Sequence, residues 1–327
     1  MHGSGASNGV VLISDEPLAR AFVPNGDETH TFTFFSTTDE SELRIPDGAV
    51  ASGDELAGRH VWRGESGPCL ALSYPLLGSA VVELTGPRSA TVRHCRVPSL
   101  ASLDWEHVLL SSVVPQTLGL FGELVLHACA IDVRSPGSGD YLGAVLLAGP
   151  SMAGKSTIAN AALDLGHRVL SDDGVRLISK PDEPGVWLCF PGLAGARRRV
   201  TRPDGTLARV VVGLGEYPMP IPLRPLRAVV ILGTRTDDFT IAPCATAAAV
   251  RAISGHRMTH VPGFVGPDLA ASLVGLTSGR SFVARFPDDL DRVHDSLTTV
   301  LAVGLSPTAM PAYSDSERAP IRTNVEL

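Results

Sequence analysis

The sequence predicts an α/β protein in which a mixed-sheet domain over residues 121–305 follows a smaller strand-rich domain over 1–120, with 306–327 a loose tail. Three observations carry this. The first third of the chain clusters β-forming residues between Gly, Pro and Asp breakers, an antiparallel hairpin begins near Phe121, and a glycine-rich loop then joins a strand to a helix.

In the first domain, "THTFTFFS" (29–36), "SAVVELTG" (79–86) and "ATVRHCRV" (90–97) read as strands. "LDWEHVLLSSVV" (103–114) reads as a helix after Ser102 that ends near Pro115 and connects the two domains. This domain carries no recognisable chemistry, and the reading gives it a part in substrate recognition. The polar segment "SDSERAPIRTNVEL" closes the chain as the tail.

Bulk properties exclude some functions. With 327 residues, 44% of them hydrophobic, the chain can bury one large core or two modest ones. A net charge of -7 argues against general attraction to nucleic acid or to acidic membranes. The five cysteines have no metal-ligand spacing and read as reduced packing residues of a cytoplasmic protein. No apolar run approaches the ~20 residues that span a bilayer.

From Phe121 the chain becomes specific. "LVLHACAIDV" (124–133) and "YLGAVLLA" (141–148) flank the turn-forming "RSPGSGD" as an antiparallel hairpin. A turn centred near Gly137 pairs residues whose numbers sum to about 274, which sets His127 against Leu147 beside the loop that follows. A histidine there can contact phosphate or acceptor and steady developing negative charge.

The loop itself, "GPSMAGKS" (149–156), has two glycines four residues apart followed by Lys and Ser, the phosphate-loop pattern. Lysine occurs only at Lys155 and Lys180, so a chance match is less to be expected than in a lysine-rich chain. "STIANAALDL" (156–165) then reads as a helix stopped by Gly166, and "HRVLSDD" (167–173) as a short strand ending in two carboxylates.

That order suits nucleotide binding, with Gly149, Ser151, Met152, Ala153, Gly154, Lys155, Ser156 and Thr157 as the ATP-binding set. Backbone N–H groups and the positive end of the helix face phosphate oxygens, Lys155 adds a mobile charge, and the Ser156 hydroxyl reaches Mg²⁺. A strand at 168–170 parallel to the one before the loop brings Asp172 and Asp173 to the same edge. One can take a proton from an acceptor while the other holds the metal, and we assign Asp172 as base and Asp173 as metal carboxylate. In this reading His127, Lys155 and Asp172 are catalytic.

Two further clusters are weaker. Among Arg197, Arg198 and Arg199, Arg197 is a minor candidate for contact with ATP or an acidic acceptor, because charge runs usually face water. "HRMTH" (256–260) has the His spacing of a zinc helix but places Arg257 where a catalytic Glu belongs, and no zinc site is expected.

The set "FGELVLHACAIDV", "LLAGPSMAGKST", "GHRVLSDDGVRL" and "RSFVARFPDDLDRV" resembles the HPr kinase/phosphorylase-related kinases, whose catalytic domain is similar to that of phosphoenolpyruvate carboxykinases. The resemblance covers roughly 121–302 and implies a phosphate-loop kinase domain with a mixed sheet. It also implies that His127 lies near the transferred phosphate, that the loop holds ATP, and that Asp172 and Asp173 supply base and metal functions. Two features depart from it. Met152 stands where the family loop usually has Gly, at a strain of about 1 kcal/mol if the position needs φ > 0. The glycine-rich signature of true HPr kinase/phosphorylases is not found after the Asp pair. The nearer likeness is to kinases of lasso-peptide biosynthesis clusters, which implies a serine of a ribosomally made precursor peptide as acceptor. Free serine or another small alcohol is the alternative, and a nucleotide-binding regulatory protein without turnover is the third reading. The oligomeric state, a homo-oligomer included, stays open.

Overall fold

The computed structural model describes residues 3–7, 10–15, 29–38, 40–45, 49–51, 58–64, 67–135, 137–180, 182–192, 196–201, 207–212, 222–258, 268–287 and 290–304. The proposed tail, 306–327, lies outside them. Among the described residues the strands form two large sheets and a separate hairpin in a mixed α/β arrangement.

The first sheet contains β1 (Gly3–Ser7), β2 (Val10–Ser14), β3 (His30–Ser36), β4 (Val50–Ala51), β5 (Arg59–Gly64), β6 (Gly67–Tyr74), β7 (Gly78–Gly86) and β8 (Ser89–Arg96). Their order is β1-β2-β3-β8-β7-β6-β5-β4. Strand β3 pairs in parallel with both β2 and β8, whereas β4 to β8 form an antiparallel meander. Alternation along β3 buries Phe32 and Phe34 with Leu70, Leu72, Val82 and Val92. The same core includes Trp105, Leu110, Val113 and Leu118 from the helical connector.

That connector corrects the sequence reading. It comprises α1 (Ser102–Val108), one π-helical turn (Leu109–Val113) and α2 (Val114–Leu120), so the helix runs through Pro115 instead of ending there. Proline lacks an N–H and its ring crowds the preceding turn. Here the wider π turn comes immediately before, and Pro115 sits in the first turn of α2, where an N–H is not required.

The second sheet contains β9 (Leu124–Arg134), β10 (Tyr141–Ala148), β11 (Arg168–Ser171), β12 (Gly174–Ser179), β13 (Trp187–Cys189), β16 (Arg224–Leu232), β17 (Thr240–Pro243) and β18 (Ser281–Arg285). Strands β14 (Ala196–Thr201) and β15 (Leu207–Val212) pair only with each other among the described residues. Strand β10 lies between β9, antiparallel, and β16, parallel. The sheet is therefore mixed, as the hairpin implies.

Strand β9 is buried on both faces, which its nearly continuous apolar run requires. Leu126, Ala128 and Ala130 face a core shared with α4 (Thr246–Ser254) and α5 (Asp268–Thr277). Cys129, Ile131 and Val133 face the opposite core, shared with α3 (Lys155–Asp164) and α6 (Leu290–Gly304). The sheet is thus a layer between two helical layers.

Candidate active site

The site forms where β10 ends and α3 begins. Gly149 follows β10, and a Cβ there would stand 3.0 Å from that of Leu232 and 3.2 Å from that of Ala153. Gly154, at φ 99°, caps α3 in the left-handed region, and a Cβ on it would meet the Arg235 guanidinium at 3.0 Å. Both glycines of the motif therefore answer a spatial need, close packing at 149 and backbone reversal at 154. Met152 has φ 67° and is 90% exposed, so it carries the left-handed strain the sequence raised as a condition.

The loop curls around its own lysine. Lys155 Nζ donates to the carbonyls of Gly149 at 2.8 Å and Pro150 at 3.1 Å, and the residue is almost fully buried. Its ammonium thus sits at the N-terminal end of α3, the positive end of the helix dipole.

Both β10 and β11 run antiparallel to β9, so they point the same way and end at one edge. Asp172 and Asp173 follow β11 at that edge. Their position is braced by the helical connector, because Gly174 lies against Pro115 of α2. A Cβ at 174 would be 2.6 Å from Pro115 Cβ and closer still to its Cγ. The glycine after the Asp pair thus permits close packing as well as a turn.

The hairpin register differs from the sequence estimate by two residues. Leu147 pairs with Cys129 and Ala148 with Ala128, which places His127 one step beyond the end of β10. A register shift between Tyr141 and Gly143, with Gly143 at φ 125°, accounts for one of the two residues, and the other comes from the turn, since Tyr141 already pairs with Arg134 and the hairpin centres between Gly137 and Ser138. A shift of two keeps every side chain on its face, so His127 still lies at the loop. His127 Nε2 is 3.1 Å from Asp173 Oδ1, and its main-chain N–H donates to the carbonyl of His256.

These groups line a cleft of about 620 Å³. His127, Asp172, Ser151, Met152, Gly154, Lys155, Ser156 and Thr157 line it; Ala153 adjoins lining residues in sequence, and Gly149 and Asp173 adjoin the lining through their contacts with Lys155 and His127. Asp172 is largely buried, whereas Asp173 turns toward His127.

The cleft also draws in residues that the sequence reading missed. Asn160, Ala161 and Asp164 come from α3, Arg198 from β14, Arg235 from the segment after β16, and Val293 and His294 from α6. Arg198 Nε donates to Asn160 Oδ1 and its Nη2 to Asp164 Oδ1, both at 2.8 Å, and His294 Nε2 lies 3.8 Å from Asp164 Oδ2. The arginine run therefore does reach the cleft, through Arg198; the side chain of Arg197 lies outside the described residues. His256 is half-buried, and its pKa is lowered by burial and by the charges of Lys155 and His127. His260, its companion in the rejected zinc pattern, lies outside the described residues.

No helix among the described residues is long and apolar enough to cross a membrane. Nor do the described residues gather three or more His, Cys, Asp and Glu side chains in a metal cage.

Comparison with known proteins adds little. No family model matches the chain, and no curated protein matches it significantly. Among solved structures, the HPr(Ser) kinase/phosphatase from Coxiella burnetii aligns with 55% of this chain and 96% of its own at 10% identity. The TM-score is 0.28, a likeness too shallow to carry an argument about this chain.

Proposed function

We propose that the protein is an ATP- and Mg²⁺-dependent kinase that phosphorylates a hydroxyl group. The observation that carries this reading is the meeting, at one sheet edge, of a glycine loop wrapped around Lys155 with the cleft-facing carboxylate of Asp172 and the His127–Asp173 pair.

The residues fit the nucleotide and the metal. Gly149 and Gly154 let the loop pack and reverse as it does around Lys155, which stands at a helix N-terminus, where backbone N–H groups suit a phosphate. Mg²⁺ is usually bound through one or two carboxylates together with substrate phosphates and water rather than in a protein cage. Ser156 and Asp173 are the residues that would hold it, and when bound it would neutralise charge on the phosphate oxygens.

In the reaction, the acceptor hydroxyl gives its proton to Asp172 and its oxygen bonds to the γ-phosphorus. The bond from that phosphorus to the β–γ bridging oxygen breaks, and the oxygen leaves with the electron pair as part of ADP. Lys155 steadies the negative charge that gathers on the phosphate oxygens. His127 contributes a hydrogen bond or, when protonated, a charge beside Asp173, and so orients that carboxylate.

The acceptor in this reading is a serine of a ribosomally made precursor peptide, as the sequence resemblance implies. The test is incubation with Mg·ATP and a panel of serine peptides, free serine and other small alcohols, read by mass spectrometry. A single phosphoryl mass increase on a peptide supports the full reading, and on a small alcohol it moves the acceptor class. Nucleotide binding with no transfer to any acceptor favours a regulatory role instead.

A further inference from the structure

We infer that the end of the cleft remote from Lys155 is a nucleobase site, with the guanidinium of Arg198 as its stacking platform. This inference rests on the nucleotide reading above and assigns a role to the part of the cleft that phosphate transfer does not use.

Three features support it. Lys155 and Asp164 are the first and last residues of α3, which puts them about 14 Å apart at about 1.5 Å per residue. The cleft is lined along that whole length, from Lys155 through Asn160 and Ala161 to Asp164. A nucleoside triphosphate whose phosphates lie at the helix N-terminus has the reach to place its base near the other end.

The side chains there suit a flat heterocycle. Arg198 is held through Nε by Asn160 and through Nη2 by Asp164, two bonds along one edge that fix the guanidinium plane. Asn160 is itself tied down, because its Nδ2 donates to the Ser156 carbonyl at 2.7 Å. A guanidinium oriented by edge contacts keeps its faces for stacking, and its plane can lie flat on a heterocycle, which the compact, strongly hydrated ammonium of lysine cannot do. Ala161 and Val293 add apolar surface to the same part of the cleft.

The platform also has a firm mount. Arg198 belongs to the hairpin β14–β15, whose first residue, Ala196, is buried in the core shared with α3 and α6. The hairpin thus carries one wall of the base site to the helix whose start carries the phosphate loop.

The experiment compares binding of ATP and of inorganic tripolyphosphate to the full chain by calorimetry, for the wild type, Arg198→Ala and Arg198→Lys. The expected result is that wild type binds both ligands, with ATP the tighter. Arg198→Ala should weaken ATP about 5- to 30-fold, the range for a cation–π contact, and leave tripolyphosphate within about twofold. Arg198→Lys should not restore ATP affinity, although it restores the charge. If the alanine variant weakens both ligands equally, or the lysine variant binds ATP like wild type, Arg198 acts as a charge and the platform is refuted. Wild type that binds tripolyphosphate and ATP with equal strength refutes the base site alone. Wild type that binds neither overturns the nucleotide reading and this inference with it. Circular dichroism confirms that each variant is folded before titration.

Discussion

Asp132 and the Asp172–Asp173 pair stand at opposite ends of the pairing between β9 and β11, in contrasting surroundings. Asp132 is fully buried and faces Arg168 directly across the strands. It accepts from Arg168, and from Arg224 Nε at 2.8 Å, while the Tyr141 ring lies 3.9 Å from the guanidinium carbon of Arg168 and 5.4 Å from that of Arg224. Burial pushes its pKa up, and the two arginines oppose that shift. The other pair sits at a rim, with Asp172 facing a cleft and Asp173 shared with a partly exposed histidine. Charge enclosed by opposite charge holds a sheet together; charge left at the edge of a cleft is available to a ligand. Histidines repeat the contrast. His94 is enclosed and accepts from Trp105 Nε1 at 3.0 Å, whereas the His127 side chain is 38% exposed.

The sharpest way to break this comparison is Asp132→Ala. Removing one member of a buried ion cluster leaves two arginines uncompensated and should cost about 3–5 kcal/mol in denaturant unfolding. A loss below about 1 kcal/mol would place Asp132 among ordinary surface charges.

Acid titration tests the histidines. The pKa of His94 is lowered from 6.5 to about 4, first by burial, with Asp15 opposing and Arg96 assisting. Above pH 6.5 the residue is neutral in both states. As pH falls toward 4 the unfolded chain takes up a proton that the folded chain refuses, so stability decreases through that window, by about 3 kcal/mol in total. His94→Gln, which keeps an acceptor for Trp105, should flatten the slope of unfolding free energy against pH by about one proton. An unchanged slope would contradict the assignment.

The smallest effect concerns the loop. Met152→Gly relieves a left-handed residue and should stabilise the loop by up to about 1 kcal/mol, with ATP affinity equal to or better than wild type. Weaker ATP binding would give the exposed methionine a positive role in the site.

What could be read from the sequence follows the range of the interactions. Strands β3, β7, β8, β9 and β10, the loop and α3 are written in local alternation, breakers and spacing, and they form where that pattern puts them. The register of the β9–β10 hairpin depends on the exact centre of its turn and on an irregularity at Tyr141–Gly143, neither of which the local pattern announces. Pro115 misled because its first-turn position is created by the π turn before it. Among three consecutive arginines, the pairing of β14 with β15 and its packing on α3 decide that Arg198 reaches Asn160 and Asp164. Asp132 sits within an apolar run that hides its two distant partners, Arg168 and Arg224. Asp172, by contrast, was legible because strand, loop, helix and strand follow in close succession, and the topology of such a unit dictates where its ends meet.

The most direct test of the central claim is a paired measurement on Asp172→Asn. The account predicts that the variant binds Mg·ATP within about threefold of wild type while phosphoryl transfer to the accepted hydroxyl, followed in a single turnover, falls about 10²- to 10⁴-fold. Transfer at the wild-type rate would show that Asp172 is not the base and that the cleft does not work as proposed.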